Sequence, residues 1–180
     1  FLDIYEAATS GYEMSLTAGP GDARRMAAEA EDFDTVVVMG GDGVISEVAD
    51  GLMGIEASRR PRLGVIPLGS GNDFARTLGL TLNNPDRSLA ELLSGGERAI
   101  DVGHVTSDAC PQGVHFVETL SFGLDAAIAL DTTTRRSDGA KQQGSALFAT
   151  SSVKLFARAQ SGHPCTVRFD GGEPLRAGKT

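Results

Sequence analysis

Three short stretches of this chain hold the residues whose types and spacing could do chemistry. Gly40-Gly41-Asp42-Gly43, followed by Val44, Ile45 and Ser46, surrounds one carboxylate with three glycines. Gly69-Ser70-Gly71-Asn72-Asp73 offers two more glycines, a hydroxyl, an amide and a second carboxylate, and residues 17–22 add the Thr17 hydroxyl, Gly21 and Asp22. Glycines let a backbone turn tightly and bring its amide N–H groups close to an anion. A helix starting near Val44 would direct its positive end to the same place. Together these make a phosphate cradle. It is not a P-loop, because no GxxxxGK[ST] run occurs and no lysine lies in the loop, and it lacks the GxGxxG spacing of dinucleotide sites. Asp42 sets the chemistry: a carboxylate in an anion-binding loop repels phosphate unless it holds Mg²⁺ through water or takes the proton of an attacking hydroxyl. The structural alternative is that Asp42 caps a helix and the glycines only make a turn, with Asn72 or Asp73 capping the next helix. Two such loops at neighbouring strand ends favour the chemical reading.

The elements that must position these loops are legible around them. Tyr12, Met14 and Leu16 alternate as a short strand would, and Ala23, Met26, Ala27 and Ala30 recur at helical spacing behind Asp22 as N-cap. The β-branched and apolar run over residues 35–39 predicts a central parallel strand covered on both faces. Val44, Ile45, Val48, Leu52 and Met53 return to helical spacing, with Gly54 as the stop. A strand over residues 63–66, a loop over 67–71, and helices over 73–78 and 88–93 continue the alternation. Strand and helix in turn predict a parallel sheet flanked by helices, with ligands beyond the carboxyl ends of the strands. After Arg98 the pattern changes: Ile100, Val102 and Val105 alternate, as do Val114 and Phe116, which predicts antiparallel strands around a polar loop. Helices follow, beginning near Gly123 and over residues 145–159. Cys165 to Phe169 and Glu173 to Arg176 flank Asp170-Gly171-Gly172, a hairpin signal. The fold class is therefore α/β, a parallel-sheet nucleotide-binding domain over residues 1–98 followed by the start of an antiparallel β-rich domain over 99–180.

Composition narrows the function. With 41% hydrophobic and 22% charged residues, the 180-residue chain is globular rather than disordered. Sixteen basic against 24 acidic residues give a net charge of −8, which argues against nucleic acid and against broad attraction to an anionic bilayer. No apolar run reaches the roughly 20 residues of a membrane span, and no signal peptide is visible, so the expected location is cytoplasmic. Cys110 and Cys165 read as reduced thiols, and His104, His115 and His163 share no metal-ligand spacing. Starting at Phe1 and stopping just after the hairpin, the chain reads as a fragment at both ends.

The run Val36-Val37-Val38-Met39-Gly40-Gly41-Asp42-Gly43, with Glu47 and Gly51 downstream, is followed about 25 residues later by Gly64-Val65-Ile66-Pro67-Leu68-Gly69-Ser70-Gly71-Asn72-Asp73-Phe74-Ala75-Arg76. Words and spacing resemble the catalytic domain of the diacylglycerol kinase and sphingosine kinase family. Thr17 with Gly21-Asp22-Ala23, Ile100-Asp101, and Phe122-Gly123-Leu124-Asp125-Ala126 extend the resemblance over nearly the whole chain. It implies ATP contacts at Thr17, Gly40, Gly41, Asp42, Gly43, Val44, Ile45, Ser46 and Ser70, with a Mg-ATP phosphoryl transfer to a lipid hydroxyl, most simply diacylglycerol giving phosphatidic acid. In bacterial members of this kind the Mg²⁺ ligands and a catalytic carboxylate come from the C-terminal domain, expected here beyond residue 180. Sphingosine kinases instead give the base role to the aspartate matching Asp42, which makes Asp42 the catalytic candidate. Asp73 and Asp101 either support the site or serve as cap and strand-end turn.

Three departures stand out. Val44 and Ser46 replace the family's usual threonine and asparagine, the position usually held by asparagine before Phe122 carries Glu118 or Thr119, and the family's N-terminal Asn-Pro loop is absent. Arg135, Arg136, Lys141, Lys154 and Arg158 form a basic region that could meet phospholipid headgroups in peripheral membrane contact, or could simply be a solvated helix face. The partners expected are ATP and a lipid, and a homodimer is allowed. Two other readings stand beside this one. NAD kinases and phosphofructokinases share a GGDG-type loop, although residues 67–76 speak against both. A nucleotide-binding regulatory protein without catalysis is suggested by Val44 and Ser46.

Overall fold

The computed structural model describes residues 11–139, 144–158 and 165–177. Lys141, Ala159 and His163, which entered the sequence expectations, lie outside them. The chain divides into two compact units, Phe1–Thr119 and Leu120–Thr180.

In the first unit, β1 (Thr35–Gly40) and β2 (Arg62–Pro67) pair in parallel, in register from Thr35 opposite Arg62 to Gly40 opposite Pro67. Helix α1 (Asp22–Ala28) precedes β1, and α2 (Asp42–Met53) connects the two strands. Helices α3 (Asp73–Leu78) and α4 (Pro85–Ser94) follow, and an antiparallel hairpin of β3 (Gly103–Ser107) and β4 (Cys110–Phe116) ends the unit. On α2 the buried residues are Ile45, Val48, Ala49, Gly51 and Leu52, the spacing of a helix with one face on a core. That face joins Ala23 and Ala27 of α1, Val38 and Val65 of the strands, and Ile55 and Phe74 in one cluster. Each large aliphatic side chain so buried contributes about 1.5–3 kcal/mol.

The close fit of α1 on α2 depends on Gly51. A Cβ there would run into the carbonyl oxygen of Arg24 and approach the Ala27 Cβ to 2.9 Å. Asp50, next to it, is a hub: its Oδ2 takes Arg24 Nε of α1 at 2.8 Å, and its Oδ1 accepts from the backbone N and Nδ1 of His115 of β4 at 2.7 and 3.0 Å. His104 lies across the hairpin from His115, ring centroids 4.6 Å apart. One aspartate thus ties both a helix and the hairpin to α2.

Three local expectations are corrected. Residues 11–18 form no strand; Met14 and Leu16 are largely exposed, so their alternation buries nothing. Gly21, not Asp22, holds the N-cap position of α1, with φ of 87°, and Asp22 is the first helical residue. Strand β1 is not covered on both faces: Met39 is 46% exposed. Thr35 and Val37 line a cavity of about 1190 Å³ shared with β2, α4 and residues of the following extended segment. None of residues 40–46 or 69–73 lines that cavity.

In the second unit, α5 (Leu124–Ser137) packs on α6 (Gly144–Arg158) through Ile128 and Leu147, and β5 (Cys165–Val167) pairs antiparallel with β6 (Leu175–Ala177). Arg135 donates to the Thr150 and Ser151 hydroxyls at 3.0 Å each, and both Lys154 and Arg135 pair with Asp131. Two of the basic residues considered for headgroup contact are therefore engaged within the unit. No helix among the described residues is long and apolar enough to cross a membrane.

Candidate functional site

Parallel pairing brings the two glycine loops together. Gly40 and Pro67 share the last rung of the ladder, and Leu68 N continues it by donating to Gly40 O at 2.9 Å. The loops then touch: a Cβ on Gly41 would lie 3.0 Å from Gly69 Cα, and one on Gly69 would lie 2.5 Å from Gly41 Cα and 2.7 Å from Asn72 Oδ1. Only residues without a side chain permit this approach. Gly43 differs, since a Cβ there would meet nothing within 4 Å. The space beside Gly43, in the first turn of α2, is open.

Helix α2 starts at Asp42. Gly41 O accepts from Val44 N and Ile45 N at 3.0 and 3.1 Å, so those two amides are used inside the helix, while the Asp42 and Gly43 N–H groups precede the intrahelical ladder. Ile45 is fully buried, and Val44 packs against the core beside Gly40. Ser46 is half-buried; Ser70 and Thr17 are exposed.

The second loop is held by Asn72, which is 1% exposed and sits at φ 56°, ψ 41°. Its Oδ1 accepts from Gly69 N at 2.7 Å and its Nδ2 donates to Gly69 O at 2.8 Å. Although Asn72 occupies the N-cap position of α3, its side chain makes no cap hydrogen bond and instead closes the loop behind it. The α3 N-terminus is reached from the other loop: Asp42 Oδ1 accepts from Phe74 N at 3.3 Å. Asp42 Oδ2 lies 2.9 Å from the position a Cβ would take on Gly71, and Asp73 Oδ2 lies 3.6 Å from it. The two aspartates from the two loops therefore face one small volume.

A third carboxylate joins them. Glu118 follows Val117, which packs against the core at the end of β4. Loss of solvent, then the charges of Asp42 and Asp73 and a hydrogen bond with Asp42, push its carboxyl up to about 7. The residues in place of the family's usual asparagine thus bring a proton-holding group to Asp42. Asp101 is exposed.

The first loop reaches α2 through Glu47. Gly21 N donates to Glu47 Oε1 and Oε2 at 2.9 and 3.0 Å, and Ala18 N donates to Asp22 Oδ2 at 2.8 Å. Among the described residues no group of three or more His, Cys, Asp or Glu side chains is arranged to hold a metal ion by itself. Glu47 was visible in the sequence as part of a motif, without a role. Glu118 was visible only as a departure, and Asp50 and His115 gave no signal, because their partner lies 65 residues away along the chain.

The family model for the diacylglycerol kinase catalytic domain matches residues 1–105. A diacylglycerol kinase of Bacillus subtilis is 36% identical over 130 residues, covering 70% of this chain and 40% of that protein. The lipid kinase YegS of Escherichia coli K12 is 36% identical over 119 residues, covering 65% of this chain and 38% of that protein. A solved Bacillus anthracis structure, named for the diacylglycerol kinases, superposes with a TM-score of 0.65 at 23% identity, over 98% of this chain and 56% of its own, a likeness of fold. This chain spans about two fifths of the length of the curated relatives it matches.

Proposed function

Because this chain belongs to the diacylglycerol kinase catalytic domain family, we propose that its protein transfers the γ-phosphoryl group of ATP to a lipid hydroxyl, with diacylglycerol as acceptor and phosphatidic acid as product. The observation that carries the reading is the meeting of the Gly41 and Gly69 loops at the N-terminus of α2, with open space beside Gly43. An N-terminus of a 12-residue helix with unused N–H groups favours phosphate oxygens. Ser70, exposed on the adjoining loop, adds a hydroxyl donor, and Thr17 offers another from the first loop.

Asp42 takes the proton of the lipid hydroxyl as that oxygen forms its bond to the γ-phosphorus and the bond to the β-phosphate oxygen breaks, leaving ADP. Phe74 N fixes one of its oxygens and leaves the other toward Asp73 and Gly71. A bound Mg²⁺ would supply neutralisation of charge on the phosphates. Asp42 and Asp73 are a carboxylate pair suited to a hydrated Mg²⁺, and its remaining ligands would come from outside the described residues. A lipid substrate places the enzyme at a membrane surface, as a peripheral protein on the cytoplasmic side.

The test is a kinase assay on the full-length protein with radiolabelled ATP, Mg²⁺ and mixed micelles of diacylglycerol, beside Asp42→Asn. Asparagine keeps an oxygen for Phe74 N, so the loop persists while the base is lost. Labelled phosphatidic acid is expected, falling about 100-fold or more in the variant. Measurable ATP binding with no labelled product from diacylglycerol, sphingoid bases or other hydroxyl lipids would replace this reading with a nucleotide-binding regulatory protein.

A further inference from the structure

Resting on that reading, we propose that Glu47 is a positioning residue of the nucleotide site, a carboxylate clamp that fixes the Thr17 loop onto the helix that bears Asp42. Both oxygens of Glu47 accept from the single Gly21 N–H, at 2.9 and 3.0 Å. The need for such a clamp is visible in the loop itself. Every residue from 13 to 21 is exposed, so apolar packing does not locate it. Its own closing bond, Ala18 N to Asp22 Oδ2, is local and fixes shape rather than place.

Behind the loop, α1 is located well, by Ala23 and Ala27 in the core, by the close approach at Gly51 and by the Arg24–Asp50 pair. Those contacts lie on the helical side of Gly21. The Glu47 bonds are made at the loop's own hinge, where φ is 87°. A hydrogen bond to an ionised acceptor is about twice as strong as a neutral one, which suits a contact that must hold in solvent. Since Glu47 and Asp42 stand on one 12-residue helix, the clamp makes the phosphate loop and the Thr17 loop move as one body.

Glu47→Ala, Glu47→Gln and Thr17→Val are compared in the full-length protein, with MgATP affinity read by calorimetry and initial rates read beside it. Glu47→Ala weakens MgATP binding about tenfold, the loss of one charge-assisted hydrogen bond. Glu47→Gln keeps one acceptor oxygen and stays within about threefold. The KM for ATP follows the affinity, while kcat, the lipid KM and the thermal midpoint hold. Thr17→Val weakens binding in the wild-type background and adds little in Glu47→Ala, because the loop it sits on is already displaced. Unchanged affinity in Glu47→Ala, additive effects with Thr17→Val, or loss of affinity only in step with the thermal midpoint would overturn the clamp. A protein that binds MgATP but phosphorylates no lipid refutes the kinase reading and leaves the clamp to be judged on affinity. A protein that binds no nucleotide refutes both.

Discussion

Adding one methyl group to Gly69 and one to Gly43 should move stability in opposite directions. At Gly69 the new Cβ would stand 2.5 Å from Gly41 Cα and 2.7 Å from Asn72 Oδ1. Carbon atoms rest at about 3.5–4.0 Å, so roughly 1 Å must be found by shifting one backbone against another. Overpacking of that kind costs about 1–3 kcal/mol. The same shift disturbs the Gly69 N to Asn72 Oδ1 bond, for about 1 kcal/mol more. Gly69→Ala should therefore lose about 2–4 kcal/mol. At Gly43 nothing lies within 4 Å, and the residue is helical, so alanine gains up to about 1 kcal/mol from its better helix propensity. Yet that methyl group enters the open space assigned to the phosphates, and MgATP affinity should fall about tenfold. Urea unfolding and calorimetric titration of the full-length variants measure both effects. A Gly69→Ala protein within 0.5 kcal/mol of wild type, or a Gly43→Ala protein that binds MgATP normally, would refute the reasoning.

Two further outcomes are expected. Glu118 keeps its proton to about pH 7 in the folded chain against an ordinary value of 4.5, so between these values the folded state binds more protons and stability falls as pH rises. Glu118→Gln should melt higher than wild type at pH 8 and alike at pH 4.5, and a gap that does not change with pH would exclude the carboxylate contact. Asp50→Ala strands Arg24 and His115 at a side chain only 10% exposed, and should cost about 2–3 kcal/mol in urea unfolding, with Asp50→Asn recovering part of it.

Most elements were legible because their signals are local. The β-branched run became β1, Gly40 to Asp42 became the turn into α2, and the period of Val44 to Leu52 matched the buried face of that helix. The strand read into Tyr12, Met14 and Leu16 failed because alternation alone supplies no partner for a ladder, and the covering of β1 was overread because apolar character does not say which neighbours are present. For the candidate site, the two loops and Asp42 came from glycine and carboxylate spacing. What the spacing did not reveal was how the groups are held. Asn72 looked like a cap and is instead a loop clasp, and Asp50, Glu47 and Glu118 act across pairings that only the fold creates. Long-range polar contacts leave no period in a sequence.

The register of β1 on β2 has a consequence for rebuilding this protein. Gly40 faces Pro67 because the ladder counts rungs from Thr35 and Arg62, not because a fixed length of chain separates the two loops. The connection between α2 and β2 runs at the opposite end of the strands, through residues 54–61. A peptide tag or a reporter domain grafted into its exposed stretch, residues 56–59, would lengthen the chain without moving either glycine loop, whereas a single residue added inside either strand would slip every rung and pull the loops out of step. The site is thus indexed by the sheet, and chain length between its parts is free to vary on one side only.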